Sequence, residues 1–245
     1  MDLSIIVPCR DEAENLRTLF AEIEQASKSL SCSWQVIFVD DGSADATFDI
    51  IEELVEAHDS VIGIRLERNY GKTAALSAAF ESASGEFVLL MDGDCQNDPA
   101  DIPKFVDAMR RYDSVCAIRR QRRDSHFRIV QSRIAYRIRN WVTKDGVVDS
   151  GCGYQAHRLS LLRQIPLFEG MHRFLPCLML QEGASMTQIE VNHRPRRHGE
   201  SKYPFWSRLR RITVDLLAVR WMLSHRIRYS VGERARRQAG ASDRH

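Results

Sequence analysis

Apolar residues along the chain follow two alternating periods. Short apolar runs stand at "LSIIVP" (3–8), "WQVIFVD" (34–40), "VIGIRL" (61–66) and "EFVLLMD" (86–92). Each is followed by apolar residues recurring every three or four positions: Leu16, Leu19, Phe20 and Ile23; Phe48, Ile51, Leu54 and Val55; Ala75, Leu76, Ala79 and Phe80; Ile102, Phe105, Val106 and Met109. A short continuous run suits a strand buried on both faces, and the longer period suits a helix that buries one face. Four such β-then-α units predict an α/β fold with a mainly parallel sheet covered by helices. Further on, "SVCAIR" (114–119) predicts a fifth strand, Ile134, Ile138 and Trp141 a helix, "DSGCGYQAHR" (149–158) a turn into a helix, and "MTQIEVNHRP" (186–195) another strand. Phe205, Leu209, Ile212, Leu216, Val219 and Leu223 step by four and three, which predicts a carboxyl-terminal helix with one apolar stripe.

Ligands of such sheets bind beyond the carboxyl ends of the strands. There the sequence places Pro8, Arg10 and Glu12 after the first strand, and Asp40, Asp41, Gly42 and Ser43 after the second. Arg68, Asn69, Gly71 and Lys72 follow the third, and Asp92, Gly93 and Asp94 the fourth. Four strand ends thus direct polar groups to one rim.

Composition adds little to the fold but sharpens the charge. The 245 residues are 44% hydrophobic and 28% charged, as in an ordinary globular protein. The net charge of +2 hides an asymmetry: residues 193–245 hold 14 Lys or Arg against 4 Asp or Glu, and residues 1–192 hold 21 against 29. A basic end suits a solvated helix, a tail or a phosphate-rich partner. Aromatic residues interleave it too sparsely for a nucleic-acid stacking surface, so no nucleic acid is expected. Six cysteines without a C-x-x-C pair, and an amino terminus without a basic segment before a signal-length apolar run, give the expectation of a reducing, cytoplasmic compartment.

Taken singly, each motif has a plain structural reading beside a chemical one. Two carboxylates around one glycine in "MDGDCQND" suit a hard cation, but also a turn with an Asp cap; Asp98 before Pro99 fits the cap. Asp41-Gly42-Ser43 suits a tight turn, with Asp45 or Ser43 capping the next helix, and equally a carboxylate that meets a base or ribose. "GKT" at 71–73 lacks the earlier glycine of a phosphate loop, since Leu66 stands there; a helix amino terminus at this point could still favour an anion, beside the plain reading of Lys72 as a solvated lysine. Arg196, Arg197 and Lys202 could neutralise phosphates or form a solvated basic turn. His193 and His198 show no metal-ligand spacing, and no Ser-His-Asp arrangement is indicated.

The ordered set "IIVPCRDEAENL", "VIFVDDGSADAT", "RNYGKTAAL", "FVLLMDGDCQNDP" and "HRPRRHGESKY" resembles the family 2 inverting glycosyltransferases, within them the dolichol-phosphate mannosyltransferase and polyprenyl-phosphate branch. The match runs roughly from residue 3 to 204. It implies a GT-A fold over 1–203, followed by an amphipathic basic helix over 204–232 and a flexible basic tail over 233–245. It implies that Pro8, Arg10 and Glu12 line a nucleotide pocket and that Val39 and Asp41 meet the base or ribose. Asp92, Gly93 and Asp94 would lie by the diphosphate, and Asp92, Asp94 and Gln96 would hold Mg²⁺ or Mn²⁺. Arg119, Arg196 and Lys202 would contact the sugar nucleotide or the acceptor phosphate, and with Asp94 carry the catalytic role. Two departures stand out: Arg10 replaces a common aromatic, and "DGDCQND" replaces D-A-D-L-Q-H.

The resemblance further implies a GDP- or UDP-sugar donor, a hexose (mannose or glucose), and a polyprenyl or dolichyl phosphate acceptor. A glycan, protein or small hydroxyl acceptor is the alternative, as is a non-catalytic nucleotide-binding or membrane-docking protein. Charged residues interrupt the last apolar stripe, so it falls short of a membrane span. An interfacial helix on the cytoplasmic membrane face, packing on the catalytic domain, and docking on a partner, including a membrane protein, all stay open.

Overall fold

The computed structural model describes residues 2–119, 136–195 and 205–225. Its frame is a seven-stranded sheet of β1 (Leu3–Cys9), β2 (Trp34–Asp40), β3 (Val61–Arg65), β4 (Phe87–Leu90), β5 (Ser114–Arg119), β6 (Gln155–Arg158) and β7 (Met186–Val191). Their spatial order is β3-β2-β1-β4-β6-β5-β7. β1 pairs in parallel with β2 and β4, β2 with β3, and β5 with β7. Between them α1 (Ala13–Ser27), α2 (Thr47–Ala57), α3 (Lys72–Ser82) and α4 (Ile102–Met109) fall where the helical period predicts them.

Alternation along each strand feeds two cores. Leu3, Ile5, Val7, Val36, Phe38, Phe87 and Leu89 meet Leu16, Leu19, Ile23, Ile51 and Phe105 from α1, α2 and α4 on one face. Ile6, Ile37, Val39, Val88 and Leu90 meet Leu76, Ala79 and Phe80 of α3 on the other. Each such large side chain contributes roughly 1.5–3 kcal/mol on burial, which makes a sheet covered on both faces the favourable solution. Val55, expected on the packed face of α2, is instead 40% exposed, while its neighbour Leu54 sits in the core.

Residues 149–158 depart from expectation. The turn leads first into β6, which runs antiparallel between β4 and β5, and only then into the short α6 (Leu159–Leu162). Residues 136–143 are helical (α5), and α7 (Leu175–Gln181) precedes β7.

The last helix, α8 (Phe205–Ser224), joins the second core through Leu216, Val219, Met222 and Leu223, with Val219 fully buried. Asp215 of α8 pairs with Arg173 at 2.9 Å. The side chains of Phe205, Leu209 and Ile212 lie outside those described, as does the expected tail over 233–245. Among the described residues no helix is long and apolar enough to cross a membrane.

Candidate active site

The carboxyl ends of β1 and β2 are laced to one another. Asp11, in the left-handed region at φ 53°, accepts from the Ala44 amide at 2.8 Å, and its own amide donates to Ser43 Oγ at 2.9 Å. Asp40 is fully buried and accepts from the Ser43 amide. Glu12 accepts from Asn15 Nδ2 at 2.6 Å and donates its amide to Thr47 Oγ1. Asp45 accepts from the Thr47 amide at 3.0 Å, but the cap position of α2 itself is Ala46, so neither Asp45 nor Ser43 is the cap residue expected there. Arg10 Nε is a buried donor with no hydrogen-bond partner, 3.9 Å from Asp11 Oδ2, so this rim keeps an unmet donor.

Asp41 turns its carboxylate toward the next loop. It accepts from the amides of Tyr70 at 2.7 Å and Gly71 at 2.9 Å. Burial raises its pKa above the ordinary range, against the opposing pull of those two amides. Gly42, at φ 66°, lies so close to Arg68 and Asn69 that a Cβ would fall 2.4 Å from the Arg68 carbonyl carbon. Asp41 and Gly42 therefore fix the turn from which α3 starts, and the first residue of α3 is Lys72.

Lys72 reaches across to the end of β4 and forms a short ion pair with Asp92 Oδ1. The Asp92 amide donates to Asn97 Oδ1 at 2.9 Å, and the Gln96 amide donates to Asp94 Oδ1 at 3.2 Å. Cys95 takes a positive φ of 58°, which folds the "DGDCQ" turn back on itself. Gly93 lets this turn lie on β1, where a Cβ would meet that of Cys9 at 3.2 Å. Asp92 remains 39% exposed, whereas Asp94 is buried.

A second ion pair closes the rim at β5. Asp149 grips Arg119 through Nε and Nη2, both at 2.7 Å. The intervening turn passes both pairs closely. A Cβ on Gly151 would lie 3.1 Å from Arg119 Nη2, and one on Gly153 would lie 3.0 Å from Asp92 Oδ2 and 3.1 Å from Lys72 Nζ. Burial pushes the Cys152 thiol in this turn up to about 11, so it carries no thiolate near neutral pH.

Thr73, next to Lys72, accepts from the Gly170 amide at 3.0 Å and shares a 2.9 Å hydrogen bond with His172 Nδ1. Burial, with Lys72 and Arg173 nearby, lowers the His172 pKa to about 3. The imidazole is therefore neutral, and the Thr73 hydroxyl proton is assigned to Nδ1 from this network.

Most residues expected at the rim are found there: Arg10, Asp92, Gly93, Asp94 and Arg119 all lie at strand ends. Val39 has no exposed surface and packs in the second core, where a β2 residue of that orientation serves the sheet. Asp98 is the cap of the short helical turn Pro99–Asp101, accepting from Ala100 and also from Arg194. Arg196, Arg197, His198 and Lys202 lie outside the described residues. The strand that leads to them nevertheless ends at the site, since the Arg194 amide donates to the Gln96 carbonyl at 3.0 Å and His193 bridges Asn97. Asp149, Gly153, His172 and Arg194 were not singled out from the sequence, and Lys72 was placed at the rim without its carboxylate partner. The one legible hint was a lysine opening a helix with no acidic residue in its first turn.

Asp92, Asp94 and Gln96 offer oxygen donors only, a set that suits a hard cation such as Mg²⁺ or Mn²⁺. Among the described residues no group of three or more His, Cys, Asp or Glu gathers to hold a metal. Asp92, Asp94 and Gln96 would by themselves be a partial ligand set, of the kind a hard cation completes with phosphate oxygens and water.

Comparison with known proteins places this geometry. The sequence profile described as Glycosyl transferase family 2 matches residues 4–168. The dodecaprenyl-phosphate galacturonate synthase of Rhizobium johnstonii is 34% identical over 93% of this chain and 69% of its own length. The undecaprenyl-phosphate 4-deoxy-4-formamido-L-arabinose transferase of Aeromonas hydrophila is 35% identical over 82% of this chain and 62% of its own. About a third of each relative thus lies outside the match.

Among solved structures, mannosyl-3-phosphoglycerate synthase from Rubrobacter xylanophilus superposes with a TM-score of 0.69 at 19% identity, covering 93% of this chain and 76% of that one. Glucosyl-3-phosphoglycerate synthase from Mycobacterium tuberculosis, in complex with Mn²⁺, UDP-glucose and phosphoglyceric acid, gives 0.66 at 18% identity over 89% and 79%. At such identities the likeness concerns the fold, and it agrees with the expected GT-A architecture.

Proposed function

The chain belongs to glycosyl transferase family 2, in its polyprenyl-phosphate branch, and from that premise we propose that it moves a sugar from a nucleotide diphosphate donor to a polyprenyl phosphate. The observation that carries this reading is the rim where Asp92-Gly93-Asp94 follows β4, beside Lys72, with His193 and Arg194 bonded to Asn97 and to the Gln96 carbonyl. The relatives' names give galacturonate and a formamido-arabinose as transferred sugars, so they lend no support to the expected mannose or glucose. The donor class is accordingly left at a nucleotide diphosphate sugar, with GDP and UDP both in play.

Asp94, with Asp92 and the Gln96 side chain, would hold Mg²⁺ or Mn²⁺, whose role is to neutralise charge that develops on the leaving diphosphate. Arg10, with its unmet donor, would meet the nucleotide, together with Pro8 and Glu12 of the same strand end. Arg119, oriented by Asp149, would position the sugar or the acceptor phosphate, joined by Arg196 and Lys202. Asp41 would act by holding the 69–72 turn, its carboxylate being taken by the Tyr70 and Gly71 amides.

A phosphate monoester is already anionic near neutral pH, so attack on the anomeric carbon from the face opposite the diphosphate needs no side-chain base, and one displacement inverts the configuration. His172, with a pKa of about 3, is poorly matched to general-base work near neutrality, and the rim carboxylates Asp92 and Asp149 are engaged in ion pairs with Lys72 and Arg119, which supports an acceptor that needs no base.

Acting on a lipid phosphate would bring the protein to the cytoplasmic membrane face as a peripheral enzyme. The exposed Trp141 and Trp221 support that reading.

The test is incubation with a panel of UDP- and GDP-sugars that includes uronic acids and amino pentoses, polyprenyl phosphate, and Mg²⁺ or Mn²⁺. A glycolipid detected by mass spectrometry is the expected product. Asp94→Asn should lower turnover by about 10²–10³-fold with an unchanged circular dichroism spectrum. An absence of product with every donor would sink the assignment, and full activity in Asp94→Asn would remove that residue from the site.

A further inference from the structure

Lys72 sits at the first residue of α3, where the helix dipole disfavours a cation, and no acidic residue in that turn offsets it. Its position is nonetheless over-determined. Asp41 holds the amides of Tyr70 and Gly71, the Gly42 backbone abuts Arg68 and Asn69, and the Thr73 hydroxyl is tied to Gly170 and His172. All three devices aim one ammonium at one carboxylate, Asp92 Oδ1. The other oxygen, Oδ2, faces Gly153 so closely that a Cβ there would stand 3.0 Å away. Asp92 Oδ1 is thus engaged by the ammonium and Oδ2 faces the 149–153 turn, with the side chain 39% exposed.

We propose that Lys72 is a tethered counter-cation that competes with the divalent metal for Asp92. Metal then binds well only when the donor diphosphate arrives with it and gives the ammonium a second anion to turn to. The device would keep the rim from holding a metal ion without its nucleotide. It rests on the donor-site reading above and adds an order of binding to it. The physical basis is charge balance: Asp92 and Asp94 with Lys72 carry a net single negative charge, and removing the ammonium doubles it, so a dication gains attraction. When diphosphate is present the same ammonium becomes one more positive group beside the leaving group.

The experiment is a titration of the full chain with Mn²⁺ alone, read by electron paramagnetic resonance of the free ion, and then with Mn²⁺ plus UDP or GDP. Lys72→Met should bind Mn²⁺ without nucleotide about tenfold more tightly than wild type, whereas Lys72→Arg, which keeps the charge, should bind as wild type does. Lys72→Gln serves as a second neutral variant. Adding Asp92→Asn to Lys72→Met should return the affinity to the wild-type level. If both neutral variants bind Mn²⁺ alone no more tightly than wild type, the competition does not exist. Because that arm contains no nucleotide, it is separate from the donor-site reading, which fails when neither UDP nor GDP changes Mn²⁺ binding and no sugar is transferred.

Discussion

Asp41 and Lys72 exchange the roles that their surroundings in sequence suggest. An aspartate at the end of a parallel strand invites a nucleotide contact, and a lysine at a helix start invites a solvated reading. In the fold, the aspartate is spent on the amides of Tyr70 and Gly71, and the lysine faces Asp92. Asp41→Ala should therefore leave the two part-buried amides of Tyr70 and Gly71 without their acceptor and cost about 1 kcal/mol of stability, seen as a lower urea midpoint. Turnover should fall with it because Lys72 loses its support. A variant as stable as wild type would show that water satisfies the turn and that Asp41 is not its anchor. These two roles were hidden for a physical reason: Asp41 bonds a turn 29 and 30 residues away, and Lys72 pairs 20 residues away. Such contacts depend on which strands are neighbours. Local signals were readable, as with the Asp98 cap and the Asp45 bond to Thr47, since donor and acceptor lie two residues apart.

At the level of elements, the first four strands and their helices were legible because each is a continuous apolar run or a clean helical stripe. β6 was not, and its composition says why. Its residues Gln155, Ala156, His157 and Arg158 carry no apolar run, yet Gln155 and His157 are buried. His157 meets Ser114 Oγ at 3.0 Å and Gln155 Oε1 at 3.2 Å, and Gln155 donates to the Cys152 carbonyl at 2.9 Å. A hydrogen-bond network satisfies these groups where hydrophobic burial would ordinarily mark a strand. Inserting β6 between β4 and β5 also brings the 149–153 turn over the rim, which no spacing in the sequence disclosed. Gly153 is the tightest point of that turn. Gly153→Ala would press a methyl group against the Asp92 carboxylate and the Lys72 ammonium, both flexible tips, so the melting temperature should shift by no more than a few degrees. Turnover should fall at least tenfold, because the ion pair must move. Unchanged activity would mean that the turn has room to withdraw and does not shape the rim.

Across the whole molecule, one face joins elements far apart in the chain. Trp141 of α5 is 68% exposed, and Val214, Leu217 and Trp221 of α8 are 60%, 63% and 62% exposed. The guanidinium of Arg220 lies over the Trp141 ring at 4.9 Å from its centroid, so a cation of α8 packs on the exposed ring of α5. The sequence showed a single apolar stripe on α8. Leu216, Val219 and Leu223 of that stripe are used in packing against the second core, and Val214, Leu217 and Trp221 form a second stripe, spaced by three and four, that faces out. Exposed tryptophans with arginine beside them suit the headgroup region, where the rings meet acyl chains and the guanidinium meets phosphate. A lipid phosphate acceptor would be presented at that same boundary. Co-sedimentation with vesicles containing anionic phospholipid should therefore weaken severalfold in Trp141→Ala/Trp221→Ala and more in Leu217→Glu, which places a charge amid the apolar stripe. Transfer to a water-soluble short-chain polyprenyl phosphate should be preserved in both variants, since none of these side chains belongs to the rim. Equal sedimentation of all three proteins would assign the face to a protein surface instead, and loss of transfer to the soluble acceptor would show that α8 supports the catalytic core directly.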